Sequence, residues 1–377
     1  MIIFVQKLYY RNFRLLNLSN LKDVNLFVLS AVVGIAIISC LLLYSTSGGS
    51  MYPWAVKQMI FFIISSVIMM IIIGLQPKFI ARFSYFIYIV AIVLLIIVKF
   101  AGHSSMGAQR WIDLKIFSLQ PSEVVKIAII LILAQYFDKV SAKFNGSIIG
   151  IVPPILIVSV PFILVATQPD LATSIIIICL ACMMIFASGG SIKNFIAGGI
   201  IILCSMPVIW SKMHGYQKKR ILNFINPDSD PFGSGYNIIQ SKIAIGSGGI
   251  LGKGFINGWQ SQLNFLPENH TDFVFAVAAE EFGLLGCLVI LSLYSIIIGY
   301  GFLVSFHVKS VFLKMTSFGG SCFFFLHVSI NAGMTTGILP AAGVPMPMMS
   351  YGGSSLMMSM ICVGLIFNAA VYNKSVI

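Results

Sequence analysis

Apolar residues run along this chain in long blocks, not in the alternation of a half-buried strand, and short polar stretches separate the blocks. A membrane-spanning helix needs about 20 mostly apolar residues, because each residue adds about 1.5 Å across a hydrocarbon core of about 30 Å. Ten blocks qualify: 24–46, 55–75, 83–100, 122–137, 151–167, 171–189, 195–210, 271–304, 314–337 and 352–373. The fourth, fifth and seventh are short for the task. The run 271–304 is too long for one perpendicular span, and is expected to tilt, to bend near Gly283 and Gly286, or to begin outside the membrane. The pattern predicts an all-α integral membrane protein with about ten transmembrane helices. Residues 1–23 form an N-terminal tail, 24–373 one polytopic domain and 374–377 a short C-terminal tail. The first apolar run is too long for a cleavable signal and lacks a small-residue cleavage site.

Composition narrows the class. Hydrophobic residues make up 58% and charged residues 9%, with a mean hydropathy of +0.99. A soluble globular chain carries roughly 45–50% apolar and about 25% charged residues. So few charges cannot cover a water-facing surface, which excludes a cytosolic enzyme, a secreted disulfide domain and a disordered scaffold. The net charge of +12 does not imply nucleic acid, because the 23 Lys and Arg form no basic stripe with interleaved aromatics. Most sit at the ends of apolar runs. The seven cysteines all lie in apolar stretches, and Cys179 and Cys182, spaced CxxC, are followed by no second pair. Free thiols are expected.

Charge placement orients the chain. With a cytoplasmic N-terminus, the short inner connections hold Lys78 and Arg82, Lys139 and Lys143, Lys193, and Lys309 and Lys314. The short outer connections 47–54, 168–170 and 338–351 hold no Lys or Arg, and the N-terminal tail adds Lys7, Arg11, Arg14 and Lys22 inside. Basic residues favour the cytoplasmic side, so both termini are expected there. Two outer segments remain, 101–121 and a long loop at about 211–270. Loops that long without helices of their own are usually functional or disordered. Phe255, Trp259, Phe265 and Leu266 point to one that packs against something.

Of the eleven acids only Asp23 and Asp138 fall inside; Asp113, Glu123, Asp170, Asp228, Asp230, Glu268, Asp272, Glu280 and Glu281 lie in outer loops or at outer ends of spans. A carboxylate in lipid is costly and usually faces a wet, protein-lined cavity. The bland alternative is helix capping, which suits Asp170 and Glu123 behind Gln-Pro. Glu123 and Lys126 are spaced i, i+3 and can pair on one helix face, either lining a polar pocket or locking two helices. Asp272 stands at a loop-to-helix junction, where Thr271 could cap and Asp272 could sit in the first turn. Glu280 and Glu281 point about 100° apart, so at most one is expected to share its cavity. His327, inside a span, reads as an interhelical hydrogen-bonding residue. The Gly-rich run 246–254 lacks P-loop spacing but could offer backbone N–H groups and Lys253 to a phosphate.

Several stretches together resemble the SEDS family (shape, elongation, division and sporulation). They are GAQRWI at 107–112, QPSEVVK at 120–126, QPDLATS at 168–174, 215–254, QSQLNFLPENHTDFVFAVAAEEFGLLG at 260–286, and NAGMTTGILPAAGVPMPMMSYGGSS at 331–355. The likeness is closer to the elongation branch than to the division branch. It implies the SEDS fold of ten transmembrane helices and a peptidoglycan glycosyltransferase in the bacterial plasma membrane. Such an enzyme polymerises lipid II, the undecaprenyl-diphosphate-linked disaccharide pentapeptide, on the extracytoplasmic face. It also implies a cognate class B penicillin-binding protein and other elongation-complex membrane proteins as partners. Asp272 matches the family's essential Asp, Trp111 the Trp of its GAQRW, and Glu123 and Lys126 its QPSExxK pair. Glycosyl transfer needs a base for the acceptor hydroxyl and cations for the diphosphate. Asp272 is the candidate base. Arg110, Lys126, Lys218, Lys219, Arg220 and Lys253 are the candidate cations, Glu280 a supporting acid, and a divalent ion, Mg or Mn, a candidate cofactor. Trp111 could stack on a sugar or anchor at the interface. The rival class is a lipid-precursor flippase with Pro-broken segments (Pro340, Pro345, Pro347), against which the acids' confinement to one side argues.

Overall fold

The computed structural model describes residues 18–101, 103–105, 108–113, 118–140, 148–168, 170–213, 215–225, 234–263 and 265–374. Lys7, Arg11, Arg14, Lys143, His214, Asp228, Asp230 and the last three residues lie outside these, as do the side chains of Lys219 and Arg220. The helices are α1 (Leu26–Thr46), α2 (Trp54–Gly74), α3 (Pro77–Ala101), α4 (Pro121–Lys139), α5 (Ile148–Thr167), α6 (Leu171–Ala187) and α7 (Ile192–Lys212). Then follow α8 (Gly215–Ile225), α9 (Ser234–Gly248), α10 (Trp259–Gln262), α11 (Val274–His307), α12 (Val311–Thr336) and α13 (Gly353–Lys374). Seven of them, α1, α2, α3, α5, α11, α12 and α13, are long and apolar enough to cross a membrane. The other three expected spans correspond to α4, α6 and α7.

Burial separates the bundle into a pillar and a ring. The apolar windows of α12 and α13 are 72% and 78% buried, against 22% for α3, so α3 faces lipid and the other two face protein. Helix α4 is apolar on all sides from Ile127 to Ala134 and buries nearly its whole length; a helix hydrophobic all round belongs inside. Pro121 opens it at a position where the missing N–H costs nothing. Between α3 and α4 a small antiparallel sheet departs from the all-helical expectation: β1 (His103–Ser105), β2 (Ala108–Asp113) and β3 (Ser118–Leu119), in that order. The GAQRW run lies mostly on its middle strand, with Trp111 opposite His103 and Ile112 opposite Leu119.

The segment 211–270, expected as a loop, holds three helices. Helix α9 buries Ile238, Ser241, Ala244 and Gly248 along one face, a spacing of three to four residues with mostly small side chains. That stripe brings its backbone against α11, where a Cβ on Gly248 would overlap the Ala279 carbonyl oxygen at 2.0 Å.

Helix α11 bends where expected, at Gly283 (φ 64°, ψ −161°). A break inside a span leaves carbonyls above it and N–H groups below it without helical partners, which is costly away from water. Residues 249–254 fill this need. The N–H groups of Lys253 and Gly254 donate to the carbonyls of Glu280 and Glu281 at 3.0 and 3.1 Å. The N–H groups of Leu284 and Leu285 donate to Gly249 and Ile250 at 2.9 and 3.2 Å. Within the Gly-rich run, the N–H groups of Lys253 and Gly254 are spent on the broken helix. Its glycines permit the close approach.

A Cβ on Gly252 (φ +80°) would lie 2.1 Å from the Glu281 oxygen, and one on Gly283 would lie 2.3 Å from the Gly252 nitrogen. Gly252→Ala and Gly283→Ala should each lower stability by more than the roughly 1–3 kcal/mol of a strained positive φ alone. Because both disrupt one contact, the double variant should lose less than the sum. Gly299→Ala, on the same helix with nothing within 4 Å of the added Cβ, is the control. Thermal unfolding in detergent reads all four; unfolding of Gly252→Ala at the wild-type temperature would count against the stitched break.

Candidate active site

The chain reaches α11 through a turn at 267–273 in which the Glu268 carbonyl (Glu268 φ 54°) accepts from the N–H groups of Thr271, Asp272 and Phe273 at 3.2, 3.1 and 3.3 Å. Thr271 does not cap the helix: its hydroxyl donates to the Glu268 carboxylate at 2.8 Å. Phe273 is the N-cap residue and makes no side-chain capping bond, so Asp272 precedes the helix and is not part of its first turn. The helix begins later than Thr271 and Asp272 suggest because the turn satisfies its own N–H groups.

The connection 338–351 straps this turn from the other side. Asn331 of α12 donates to the Asp272 carbonyl at 2.9 Å and to the Val344 carbonyl at 2.7 Å. The Tyr351 N–H donates to the His270 carbonyl at 2.9 Å, and the Ser350 hydroxyl to that of Thr271. Gln58 of α2 donates to the Ser350 carbonyl at 3.1 Å. Trp54 stacks on His270 with ring centroids 4.1 Å apart, and burial pushes the His270 imidazole below its ordinary value of 6.5, against the pull of Glu268. The Asp272 backbone is thus held on two sides while its side chain is half-buried. Its Oδ2 lies where a Cβ on Gly343 (φ +63°) would come within 3.3 Å.

One turn along α12 from Asn331, about 6 Å by helical rise, His327 meets the QPSExxK helix. Lys126 Nζ is 2.6 Å from Glu123 Oε1 and 2.6 Å from His327 Nε2. With Nδ1 donating to the Phe323 carbonyl at 2.8 Å, His327 Nε2 accepts from the ammonium. The expected pair forms, but in no wet pocket: Glu123 and Lys126 are 2% and 1% exposed. In this arrangement the Lys126 ammonium is sealed inside the bundle.

The remaining candidates pair elsewhere. Asp170 caps α6, accepting from the Thr173 N–H at 3.3 Å and its hydroxyl at 2.9 Å, with Arg110 at 4.0 Å. The strand segment of Trp111 is tied to α13 through Ser354, which donates to the Ser118 carbonyl at 2.6 Å. Lys253 is 2.8 Å from Glu280, whose carboxylate also accepts from the Gln260 N–H at 3.1 Å. Glu281 accepts from the Ser45 hydroxyl. Both acids expected as possible neighbours of Asp272 are therefore occupied with other partners. The Lys218 ammonium donates to the Ser211 carbonyl at 3.5 Å. Among the described residues no three His, Cys, Asp or Glu side chains converge as a metal cage. All seven cysteines are free thiols. Asn331, Gln58 and Gly343 were not singled out from sequence. Asn331 carried a signal, a polar side chain deep in an apolar run.

Residues 21–375 match the cell cycle protein family FtsW/RodA/SpoVE. The peptidoglycan glycosyltransferase MrdB of Escherichia coli K12 is 41% identical over 309 residues, covering 82% of this chain and 83% of that protein. A chain solved in a study of how a peptidoglycan synthase complex coordinates polymerization and crosslinking superposes with a TM-score of 0.78 at 24% identity, over 92% of this chain and 97% of its own. The rod shape determining protein RodA of Thermus thermophilus superposes with a TM-score of 0.68 at 21% identity, over 93% and 97% of the two chains. The fold is shared with both.

Removing one partner of a buried ion pair typically costs about 3–5 kcal/mol, because the other charge stays buried and uncompensated. Glu123→Ala should destabilise the protein on that scale and lower activity with it. Exchanging the charges, Glu123→Lys with Lys126→Glu, keeps a bridge but sets a carboxylate against His327. It should recover only part of the thermal stability. Full recovery of both stability and glycan polymerisation would show that any bridge suffices and would remove His327 from the arrangement.

Proposed function

This chain belongs to the FtsW/RodA/SpoVE family and is a multi-pass membrane peptidoglycan glycosyltransferase, and on that premise we propose that it polymerises lipid II with Asp272 as general base. The Asp272 carboxylate takes the proton from the GlcNAc 4-hydroxyl of the acceptor. The freed oxygen attacks MurNAc C1 of the donor as the C1–O bond to diphosphate breaks. Attack opposite the leaving group turns the α-linked donor into a β-1,4 bond and releases undecaprenyl diphosphate. The observation that carries this reading is the mounting of Asp272. Its backbone is pinned by the Glu268 turn and by Asn331, it is half-buried, and it stands ahead of the helix cap. A base held in place before substrate arrives loses little to reorganisation.

Arg110, 27% exposed beside Asp170, is the cation assigned to the diphosphate. Lys218, Lys219 and Arg220 on α8 are the further candidate cations. Lys126 and Glu123 support the site from within the bundle, and Lys253 and Glu280 hold the α11 break. The chain offers no ready cage for a divalent cation among its described residues, and no step here passes through one. Working partners of this reading are a class B penicillin-binding protein that crosslinks the new strands and other elongation-complex membrane proteins. The termini lie in the cytoplasm, and the Asp272 turn and 211–270 lie outside, as the Lys and Arg distribution argues.

Asn257 is exposed in this outer segment. A cysteine placed there should react with an impermeant thiol reagent in intact, wall-permeable cells, against a background variant lacking the natural cysteines. Labelling that requires lysis would invert the topology.

Asp272→Asn is nearly isosteric and keeps a polar group at the turn, so folding and lipid II binding should survive. Loss of a general base typically costs roughly 10²–10⁴-fold in rate, whereas a purely structural role would cost about 0.5–2 kcal/mol of stability. Glycan chain formation by purified protein with its partner, measured alongside thermal stability and lipid II binding, separates the two. Near-normal polymerisation by the Asn variant would end the proposal.

A further inference from the structure

A polar cavity of about 370 Å³ opens between the start of α3 and the end of α4. Lys78, Arg82 and Tyr85 line it at i, i+4 and i+7 on α3; Gln135, Asp138 and Lys139 line it from the last turns of α4. Its charges are unbalanced. Asp138 is the only acid in the lining, and its carboxylate already accepts from the Phe312 N–H at the start of α12, at 3.1 Å. No ion pair joins Lys78, Arg82 or Lys139 to an acid among the described residues, and Lys139 rests over the Tyr85 ring at 4.9 Å. The α3 N-terminus, which carries a partial positive charge, has no acid in its first turn.

The second observation is Gln135. It is 8% exposed, lines the cavity, and its buried Oε1 has no hydrogen-bond partner. A buried acceptor left unpaired is costly, so a donor is called for beside the cations. A ligand that fits carries a phosphate for Lys78, Arg82 and Lys139 and a hydroxyl for Gln135. Deeper along α3, Phe83, Phe86 and Ile89 are exposed on the lipid side, where acyl chains can lie. Tyr85 is an amphipathic ring of the kind favoured at a membrane interface.

We propose that this cavity binds the headgroup of an anionic, hydroxyl-bearing phospholipid of the phosphatidylglycerol type. A zwitterionic headgroup brings its own cation against three others, and a free phosphate has no chain to use the apolar face below.

The test uses the full-length protein in nanodiscs of phosphatidylcholine doped with phosphatidylglycerol, with retained lipid read by native mass spectrometry and stability by thermal melting. The wild type should retain phosphatidylglycerol saturably. Lys78→Gln with Arg82→Gln should weaken that affinity by roughly fivefold per cation removed, with melting in pure phosphatidylcholine unchanged. Gln135→Leu should weaken phosphatidylglycerol more than phosphatidylethanol, which has the same phosphodiester and no headgroup hydroxyl. Lys193→Gln with Lys309→Gln, the same charge loss outside the cavity, should change neither. The site is overturned if the control pair weakens binding as much, if phosphatidylcholine is retained equally, or if inorganic phosphate shifts melting as far as the lipid. Equal loss of both anionic lipids in Gln135→Leu would overturn the hydroxyl contact.

Discussion

The break in α11 at Gly283 is the constraint on which the Asp272 end of the molecule depends. Inside lipid a helix cannot bend and leave its carbonyls and N–H groups bare, because no water is present to take them up. Residues 249–254 supply the missing partners from the backbone, two donors above the break and two acceptors below it. That contact sets the direction of residues 274–282, and residues 267–273 are carried on their end. The glycines at 248, 252 and 283 are needed because any side chain there would occupy the backbone of the opposing segment. Lys253 and Glu280 add a salt bridge at the same place, so a fold requirement accounts for a stretch whose composition invites a binding role.

Helix α12 is the second support. Two of its residues, one turn apart, face different problems: Asn331 holds the Asp272 turn and the strap 338–351, and His327 accepts from a lysine sealed inside the bundle. A buried ion pair is weak evidence for net stability, since desolvation offsets much of the attraction. What it supplies here is geometric restriction. Lys126 can satisfy Glu123 and His327 together only if α4 and α12 keep one registry, and α12 carries that registry up to Asn331. The catalytic reading of Asp272 thus rests on a frame whose polar contacts are buried and shielded from salt.

Some of this was legible along the chain, because it is local. The length of each apolar block sets where helices can cross, a bend at Gly283 is one of the ways to accommodate a run too long for one span, and the i, i+3 spacing brings Glu123 to Lys126 within one helix. Asp170 as a cap and Asp272 at a loop-to-helix junction are likewise short-range facts. Where the reading missed, a local rule was overridden. The segment 211–270 lacks strong apolar blocks, so its helices went unseen; α9 is stabilised by packing a small-residue face on α11 more than by any apolar periodicity. That α4 is enclosed by protein on nearly every side follows from the packing of its neighbours and not from its own apolar run.

By itself, the sequence determined the helical membrane class and the approximate places of the apolar helices, seven of which are long enough to cross a membrane, since apolar length acts within a few residues along the chain. Only the tertiary structure decided which polar groups meet. Lys126 and His327 are separated by 201 positions, Gln58 and Ser350 by 292, and Asn331 reaches Asp272 across 59. No periodicity encodes such pairs. They arise because a polar group enclosed among apolar helices must find a partner, and the packing of the whole bundle determines which one lies within reach.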